Sequence, residues 1–207
     1  MSISSLARSE RLDMCDLMQD VGPDAPTLNE GWDVLDLAAH VVAREHDLWA
    51  TPGIVLGGPF AAAMQLAMKR RRRQGLERLV DVIRRGAPIW WRAVPSGARL
   101  SEYYIHHEDV RRANGGRPRA DRPDLDEGLA RLVRASGNYM LRGVDVGVDV
   151  VWQGGVLYRH GDEPRAVLTG PPGELLLYLS GRRSAAEVAL TGDETAAERL
   201  RAAELGI

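Results

Sequence analysis

The sequence predicts a mainly α protein: a helical bundle over residues 1–142 and a small α+β domain over residues 143–207. Two observations predict this class. Apolar residues before 142 recur at the three- and four-residue spacing of amphipathic helices. After that point, Val144–Val151 alternates valine with aspartate or glycine, which is typical of a strand. The chain of 207 residues is long enough to bury a core without disulfides.

The helical part divides into segments separated by turn signals. The expected helices span about 3–21, 33–49, 60–86, 96–113 and 124–141. Asp33 is expected to cap the second helix, because an aspartate side chain accepts backbone N–H groups at that position. Ser96 is expected to cap the fourth helix, which the asparagine and glycines of 114–116 end. The Gly- and Pro-rich segment 51–59 is expected to be a loop.

The tail mixes short strands with short helices. Strands are expected at 156–158, 166–169 and 187–190, because each run is short and rich in apolar residues. An apolar helix is expected over 173–180. Asp193 is expected to cap a last helix that ends near 203. The sequence contains no visible internal repeat.

Composition and charge exclude several classes of partner. The formal net charge is −2, so no overall field attracts the chain to nucleic acid or to a membrane. Apolar runs are too short to span a bilayer, and the N-terminus has no signal-peptide pattern. The basic run Lys69–Arg73 has no interleaved aromatic residues, so we expect a solvated helix segment rather than a nucleic-acid site.

The chain has one cysteine, Cys15, so it cannot form an internal disulfide. Met14, Leu17 and Met18 surround it on a predicted helix, so we expect a small buried residue there. The alternative is a nucleophile, but no histidine lies close to it in sequence. Basic residues are almost all arginine, which is associated with GC-rich genomes.

Three residues suggest a catalytic metal site: His40, Glu102 and His106. Glu102 and His106 are four residues apart, which places them on one face of a helix. His40 comes from an earlier helical stretch, the one predicted over 33–49. Two imidazoles and a carboxylate suit Zn²⁺ or a similar divalent ion and leave a position for water or substrate. A lone histidine on an apolar helix face is usually a packing residue, so this prediction depends on all three.

Three neighbouring residues have alternative interpretations. His107 points about 100° away from His106 around the helix, so we expect a non-ligand that replaces His106 only if the register is shifted. Asp109 either orients a ligand imidazole from behind or pairs with the arginines that follow it. Arg182 either reaches an anionic substrate or is a cation at a helix C-terminus.

At these residues the chain resembles a known family. The segment 27–40, which ends at His40, resembles the signature of the mycothiol-dependent maleylpyruvate isomerase family, one of the DinB-like metal-binding bundles. The segment 102–109 is similar to that family's second signature, a Glu and a His four residues apart followed by an Asp. Segments 173–182 and 188–193 are similar to its small C-terminal domain. The resemblance therefore covers most of the chain.

The resemblance implies a DinB-like bundle of four main helices that holds a divalent metal, usually zinc. Carried over residue by residue, the implied ligands are His40, Glu102 and His106. It also implies mycothiol as a cosubstrate and a location in the actinobacterial cytoplasm. It does not imply a particular substrate.

The leading hypothesis is therefore a zinc protein that activates a low-molecular-weight thiol for transfer to, or isomerisation of, a small electrophile. Hydrolysis by a metal-bound hydroxide is one alternative. A metal-binding regulatory or scavenging protein without turnover is another. No nucleic acid or membrane is expected as a partner, and the protein is expected to be a monomer or a homodimer. The sequence assigns no general base.

Overall fold

The computed structural model describes residues 1–47, 49 and 59–206. Its described part is mainly helical and ends in a four-stranded sheet with short helices, which confirms the predicted class. It divides into two compact units: an N-terminal unit, residues 7–117, and a C-terminal unit, residues 1–6 with 118–207. The predicted loop 51–59 lies outside the described residues, except for its last residue. None of the described helices has the length and apolar content of a membrane span.

The N-terminal unit is built from helices joined by short connections. The helices that form it are α1 (Ile3–Val21), α2 (Val34–His46), α3 (Pro59–Arg72), α4 (Leu76–Arg85) and α5 (Ser96–Ala113), with a 3₁₀ turn at Ile89–Ala93. Helix α2 packs against α3 and α4. Helix α1 lies against α4, where Arg84 donates to Asp16 and Gln19 at 2.6 Å each. With α3 and α4 counted as one interrupted segment, the described residues of this unit form four main helical segments.

Two predicted helix bounds in this unit are wrong. The single helix over 60–86 is broken: α3 ends at Arg72, and Gly75, with φ +78°, precedes the first residue of α4. Helix α2 ends at His46 rather than near Trp49, with Asp47 at its C-terminus. The bounds of α1 and α5 match the prediction. Ser96, however, is the first residue of α5 rather than its cap; Pro95 occupies the cap position, and no side chain caps the helix there.

The core of the N-terminal unit consists of side chains with almost no exposed surface. They come from four of its helices: Met14, Met18, Leu37, Leu79, Ile83 and Leu100. Burying each such side chain stabilises the fold by about 1.5–3 kcal/mol. Cys15 is also fully buried, as expected, and its Sγ lies 3.9 Å from the carbonyl oxygen of Val80 on α4.

The C-terminal unit is a four-stranded sheet with three helices. Its elements in chain order are α6 (Pro123–Met140), β1 (Val148–Trp152), β2 (Gly155–His160), β3 (Ala166–Thr169), α7 (Pro172–Leu179), β4 (Ala189–Gly192) and α8 (Glu194–Ala202). The strand order is β2-β1-β3-β4, with β1 and β3 parallel and the outer pairs antiparallel. Asp193 caps α8 by accepting from the backbone N–H of Ala196, as predicted.

The structure groups helix α6 with the sheet, whereas the sequence places a boundary at 142. The reason is packing: α6 lies against α7 and β2. At Gly137 the Tyr158 ring is so close that an added Cβ would lie 2.3 Å from its Cγ. Whether residues 1–142 and 143–207 are separate domains stays a prediction.

Two strands are shifted from their predicted bounds. Strand β1 begins at Val148 rather than Val144, because its pairing with His160 and Ala166 begins there. Strand β4 covers Ala189–Gly192, because only these residues pair with β3. Strand β3 is as predicted.

Candidate functional site

Helix α2, which carries His40, is fixed at both ends by ion pairs with α3. Asp33 caps it as predicted, and the Asp33 and Asp36 side chains form a capping box. Arg72 donates to both carboxylate oxygens of Asp33 at 2.6 and 2.7 Å. Arg71 donates to both carboxylate oxygens of Asp47 at 2.9 and 2.8 Å. Two residues of the basic run Lys69–Arg73, which was expected to be solvated, therefore hold α2 in place.

The Arg72 guanidinium beside Asp33 lowers the pKa of that carboxyl, mainly through its hydrogen bonds. The cap is therefore ionised at neutral pH, where it also faces the positive end of the helix dipole. The cap at Asp33, supported by Arg72 from α3, thus fixes the start of the helix that presents His40.

Helix α5 presents a run of buried polar residues. The buried members of this run are Ser101, His106, His107, Glu108 and Asp109. Burying polar groups is costly unless they are paired. The Glu108 carboxylate accepts hydrogen bonds from Arg111 and Arg112 at 2.6 Å each. The Nδ1 atom of each histidine lies 3.0 Å from a carboxylate oxygen.

The structure brings His40, Glu102 and His106 into one neighbourhood. Nε2 of His106 lies 3.5 Å from Oε2 of Glu102, one turn away on α5. The His40 ring, from α2, meets the His106 ring edge-on with 5.4 Å between centroids. Trp32 also packs against His40, with 5.2 Å between ring centroids and the rings tilted by 53°. The three residues therefore come from two helices and meet as neighbours.

Asp109 lies directly behind His106. Its Oδ2 is 3.0 Å from Nδ1 of His106 and accepts from the side-chain amide of Asn29 at 3.1 Å. An ionised carboxylate only accepts hydrogen bonds, so with Asp109 ionised the Nδ1–H of His106 donates to it and Nε2 faces Glu102. Arg111 and Arg112, the arginines considered as alternative partners, both donate to Glu108. A carboxylate behind an imidazole is the usual support of a metal-binding histidine.

His107 and Arg182 lie in other surroundings. His107 is buried with its Nδ1 3.0 Å from Oε2 of Glu10 on α1, so the two neighbouring histidines of α5 have different carboxylate partners. Arg182 follows α7 in the C-terminal unit and donates to the carbonyl oxygen of Ser180 at 2.8 Å. A substrate role for either residue stays a prediction.

The fit of this site to a metal ion has one feature in favour and one against. In favour, two ligand atoms of tetrahedral zinc lie about 3.4 Å apart, which agrees with the 3.5 Å between His106 and Glu102. Against it, a guanidinium nitrogen of Arg44 contacts the same Glu102 oxygen. Within the described part of the chain, no three His, Cys, Asp or Glu side chains are grouped as a metal ion requires. The donor types therefore fit a divalent cation, and Arg44 competes for the carboxylate.

A pocket in the N-terminal unit opens beside these residues. Its wall comes from α2, α5 and the segment between α4 and α5: Val41, Arg44, Glu45, Trp91, Val94, Arg99, Glu102, Tyr103 and His106. Sequence reasoning did not find Glu45, Arg99 or Tyr103. The available signal was Glu45 itself, a charged residue on the apolar stripe of α2, one turn beyond Val41.

Glu45 and Tyr103 form a buried pair in this wall. The Tyr103 hydroxyl donates to Oε1 of Glu45 at 2.6 Å, and both residues are about 95% buried. Burial raises the pKa of Glu45, although Tyr103 and nearby arginines favour its ionised form. Burial and the Glu45 charge together raise the pKa of Tyr103. The pair therefore contains a carboxyl group whose proton is held more tightly than in water.

Comparison with known proteins supports the fold. No protein-family model matches the chain, and no curated protein matches its sequence. Two solved structures are similar to it, both of the mycothiol-dependent maleylpyruvate isomerase. The first, of a mutant, has a TM-score of 0.59 at 19% identity, and the second has a TM-score of 0.54 at 20% identity. Each match covers 93% of this chain and 95% of the other. At this identity the likeness establishes the fold alone, a helical bundle followed by a small α+β domain, and the activity of those proteins remains their own.

Proposed function

We propose that this protein binds a divalent metal, zinc by preference, through His40, Glu102 and His106, and activates a low-molecular-weight thiol that adds to a small electrophile. The observation that carries the proposal is the support of His106. Buried Asp109 accepts a hydrogen bond from Nδ1 of His106, so Nε2, 3.5 Å from Oε2 of Glu102, is the ring atom proposed to bind the metal. When bound, the metal would lower the pKa of a coordinated thiol and hold it as the thiolate.

The surroundings of the three residues suit such a reaction. Trp32 holds the His40 ring from one side, which limits its orientation. The neighbouring pocket contains apolar Val41, Trp91 and Val94, which exclude water from a bound molecule. Arg44 and Arg99 in the same wall supply positive charge for an anionic group. The thiol is proposed to be mycothiol, because the two similar structures are of a mycothiol-dependent isomerase. With this intracellular thiol as cosubstrate, we propose a cytoplasmic location.

Substitution of Glu102 tests the proposal. We expect zinc-loaded protein to consume small α,β-unsaturated carbonyl compounds only when mycothiol is present. Glu102→Ala should lose bound zinc and most of this turnover, because two neutral imidazoles hold a divalent ion poorly. Glu77→Ala, on the exposed face of α4, is the matched control and should retain both. Turnover that is independent of thiol would support a hydrolase instead, and a fully active Glu102→Ala protein would contradict the proposal.

The contact between Arg44 and Glu102 favours a second candidate, a metal-binding regulatory or scavenging protein without turnover. A guanidinium that replaces the metal at the carboxylate keeps the metal-free fold neutralised, so the metal can be gained and lost reversibly. Saturable zinc binding without thiol-dependent chemistry on any electrophile would favour this candidate.

A further inference from the structure

Glu45 is a buried carboxyl group that is only half satisfied. Its Oε1 accepts from the Tyr103 hydroxyl at 2.6 Å. Its Oε2 is buried and has no hydrogen-bond partner among the described residues. Leaving a buried acceptor unsatisfied costs about 1–3 kcal/mol, and more when the group is charged. Groups kept at such a cost are concentrated at functional sites.

Glu45 lies where a buried, partly unsatisfied carboxyl group can take part in a reaction. It belongs to the same pocket wall as Glu102 and His106, so a molecule bound beside those residues also meets Glu45. The charged and titratable groups around Glu45 are Arg11 and Cys15 from α1, Arg44 from α2, and Arg99 and Tyr103 from α5. The arginines favour the carboxylate and burial favours the acid, so neither form is strongly excluded.

We propose that Glu45 is the proton-transfer residue of this site, with Oε2 as the atom that takes and returns the proton. The inference rests on the proposed thiol chemistry and supplies the base that it lacks. Tyr103 fixes the orientation of the carboxyl group through Oε1. Oε2 is thereby left to act on the thiol in the pocket.

The step balances without a further reagent. The thiol S–H bond breaks, and its proton goes to Oε2 of Glu45. The sulfur electron pair then forms a C–S bond with the electrophilic carbon, and the π electrons of the electrophile move to the neighbouring carbon. That carbon takes the proton back from Glu45, which completes addition. For isomerisation, the intermediate instead rotates and expels the thiolate, which recovers the proton.

The acidity of Glu45 suits this exchange. A thiol has a pKa near 8.5 and an ordinary glutamate near 4.3, so an ordinary carboxylate is a weak base toward a thiol. Burial raises the pKa of Glu45 and so narrows the difference between its pKa and that of the thiol. Closely matched pKa values are the condition for efficient general base catalysis.

Glu45→Gln tests the proposal, because an amide oxygen still accepts from Tyr103 but cannot carry the proton. We expect kcat for thiol-dependent turnover to fall by roughly 10²–10⁴-fold, with zinc content and KM little changed. Glu45→Asp should restore part of the rate. Glu77→Gln makes the same change at an exposed glutamate and should have no effect.

A second readout separates proton transfer from a structural role. In ¹³C-carboxyl NMR, one glutamate resonance of the wild-type protein should titrate above the ordinary glutamate range and be missing in Glu45→Gln. A rate that survives Glu45→Gln, or no resonance that titrates late, would overturn the role of Glu45 while leaving the thiol chemistry intact. Absence of thiol-dependent turnover in the zinc-loaded wild-type protein would overturn both proposals.

Discussion

The Nδ1 atom of His106 lies 3.0 Å from Oδ2 of Asp109, and both side chains are buried. The two residues are one turn apart on α5, so the helix itself sets this contact. The Asn29 side chain donates to the Asp109 carboxylate, and the backbone N–H of Leu28 donates to the Asp109 carbonyl oxygen, so the loop before α2 is tied to the same residue. Asp109 thus fixes the ring orientation of a proposed ligand and anchors the segment that leads to His40.

The first prediction concerns this contact. Asp109→Asn should weaken zinc binding by about 10–100-fold, because an amide holds the His106 ring less firmly and makes Nε2 less basic. Isothermal titration with zinc measures the change. Asp81→Asn, at a half-buried position on α4 where Asp81 pairs with Arg85, is the control for loss of one carboxylate and should bind as wild type does. Unchanged affinity in Asp109→Asn would mean that Asp109 serves only to anchor the loop.

The second prediction concerns Arg44, whose guanidinium contacts the Glu102 carboxylate. Arg44→Met should tighten zinc binding by roughly tenfold, because the metal no longer competes with a neighbouring cation. It should also destabilise the metal-free protein, since the half-buried Glu102 charge loses its partner. Thermal unfolding with and without zinc measures both effects, and the zinc-induced rise in Tm should be larger than in wild type. Weaker zinc binding in Arg44→Met would show that Arg44 supports the metal site.

The third prediction concerns Cys15. Burial raises the pKa of its thiol to about 12, so almost none of it is thiolate at pH 8. Iodoacetamide should therefore alkylate the native protein about a thousandfold more slowly than the protein in urea. Cys15→Ser should retain thiol-dependent turnover, because the proposed nucleophile belongs to the cosubstrate. An inactive Cys15→Ser protein with full metal content would mean that Cys15, and not the cosubstrate thiol, is the nucleophile.

The fourth prediction concerns the pH dependence of stability at Asp33. Its pKa is lowered in the folded protein by Arg72. This interaction therefore contributes stability above the unfolded pKa, and the contribution is lost as pH falls through the folded pKa. Asp33→Asn keeps a cap acceptor but not the charge, so it should destabilise the protein at pH 7 and converge with wild type in acid. At pH 7, Asp33→Ala should lower the free energy of unfolding by about 1 kcal/mol more than Asp33→Asn does, because alanine also removes the cap acceptor. Urea unfolding at several pH values checks this order.

The ends of several helices could be predicted because their signals are local. Asp33 and Asp193 cap their helices through bonds to backbone groups three residues on, so a short window of sequence contains the whole interaction. The break at Gly75 was missed because one glycine in a helical pattern costs only about 1 kcal/mol, and packing decides whether the helix continues. The start of β1 depends on its partners β2 and β3, which no local pattern specifies.

The candidate site divides in the same way. The spacing of Glu102 and His106 on α5 is a helical property, so their contact could be predicted from sequence. The contact between Arg44 and Glu102 joins two helices, and so does the bond between Tyr103 and Glu45. Such pairs depend on how α2 and α5 pack, which is why the cation beside Glu102 and the buried acid of the pocket were missed.

Zinc stoichiometry in a matched set of variants tests the central proposal most directly. Elemental analysis of zinc-replete wild-type protein should give about one zinc per chain. His40→Gln, Glu102→Gln and His106→Gln should each fall far below one. His107→Gln should stay near one and lose stability instead, because His107 pairs with Glu10 on α1. A wild-type protein without bound zinc, or zinc lost in His107→Gln and kept in His106→Gln, would contradict the account.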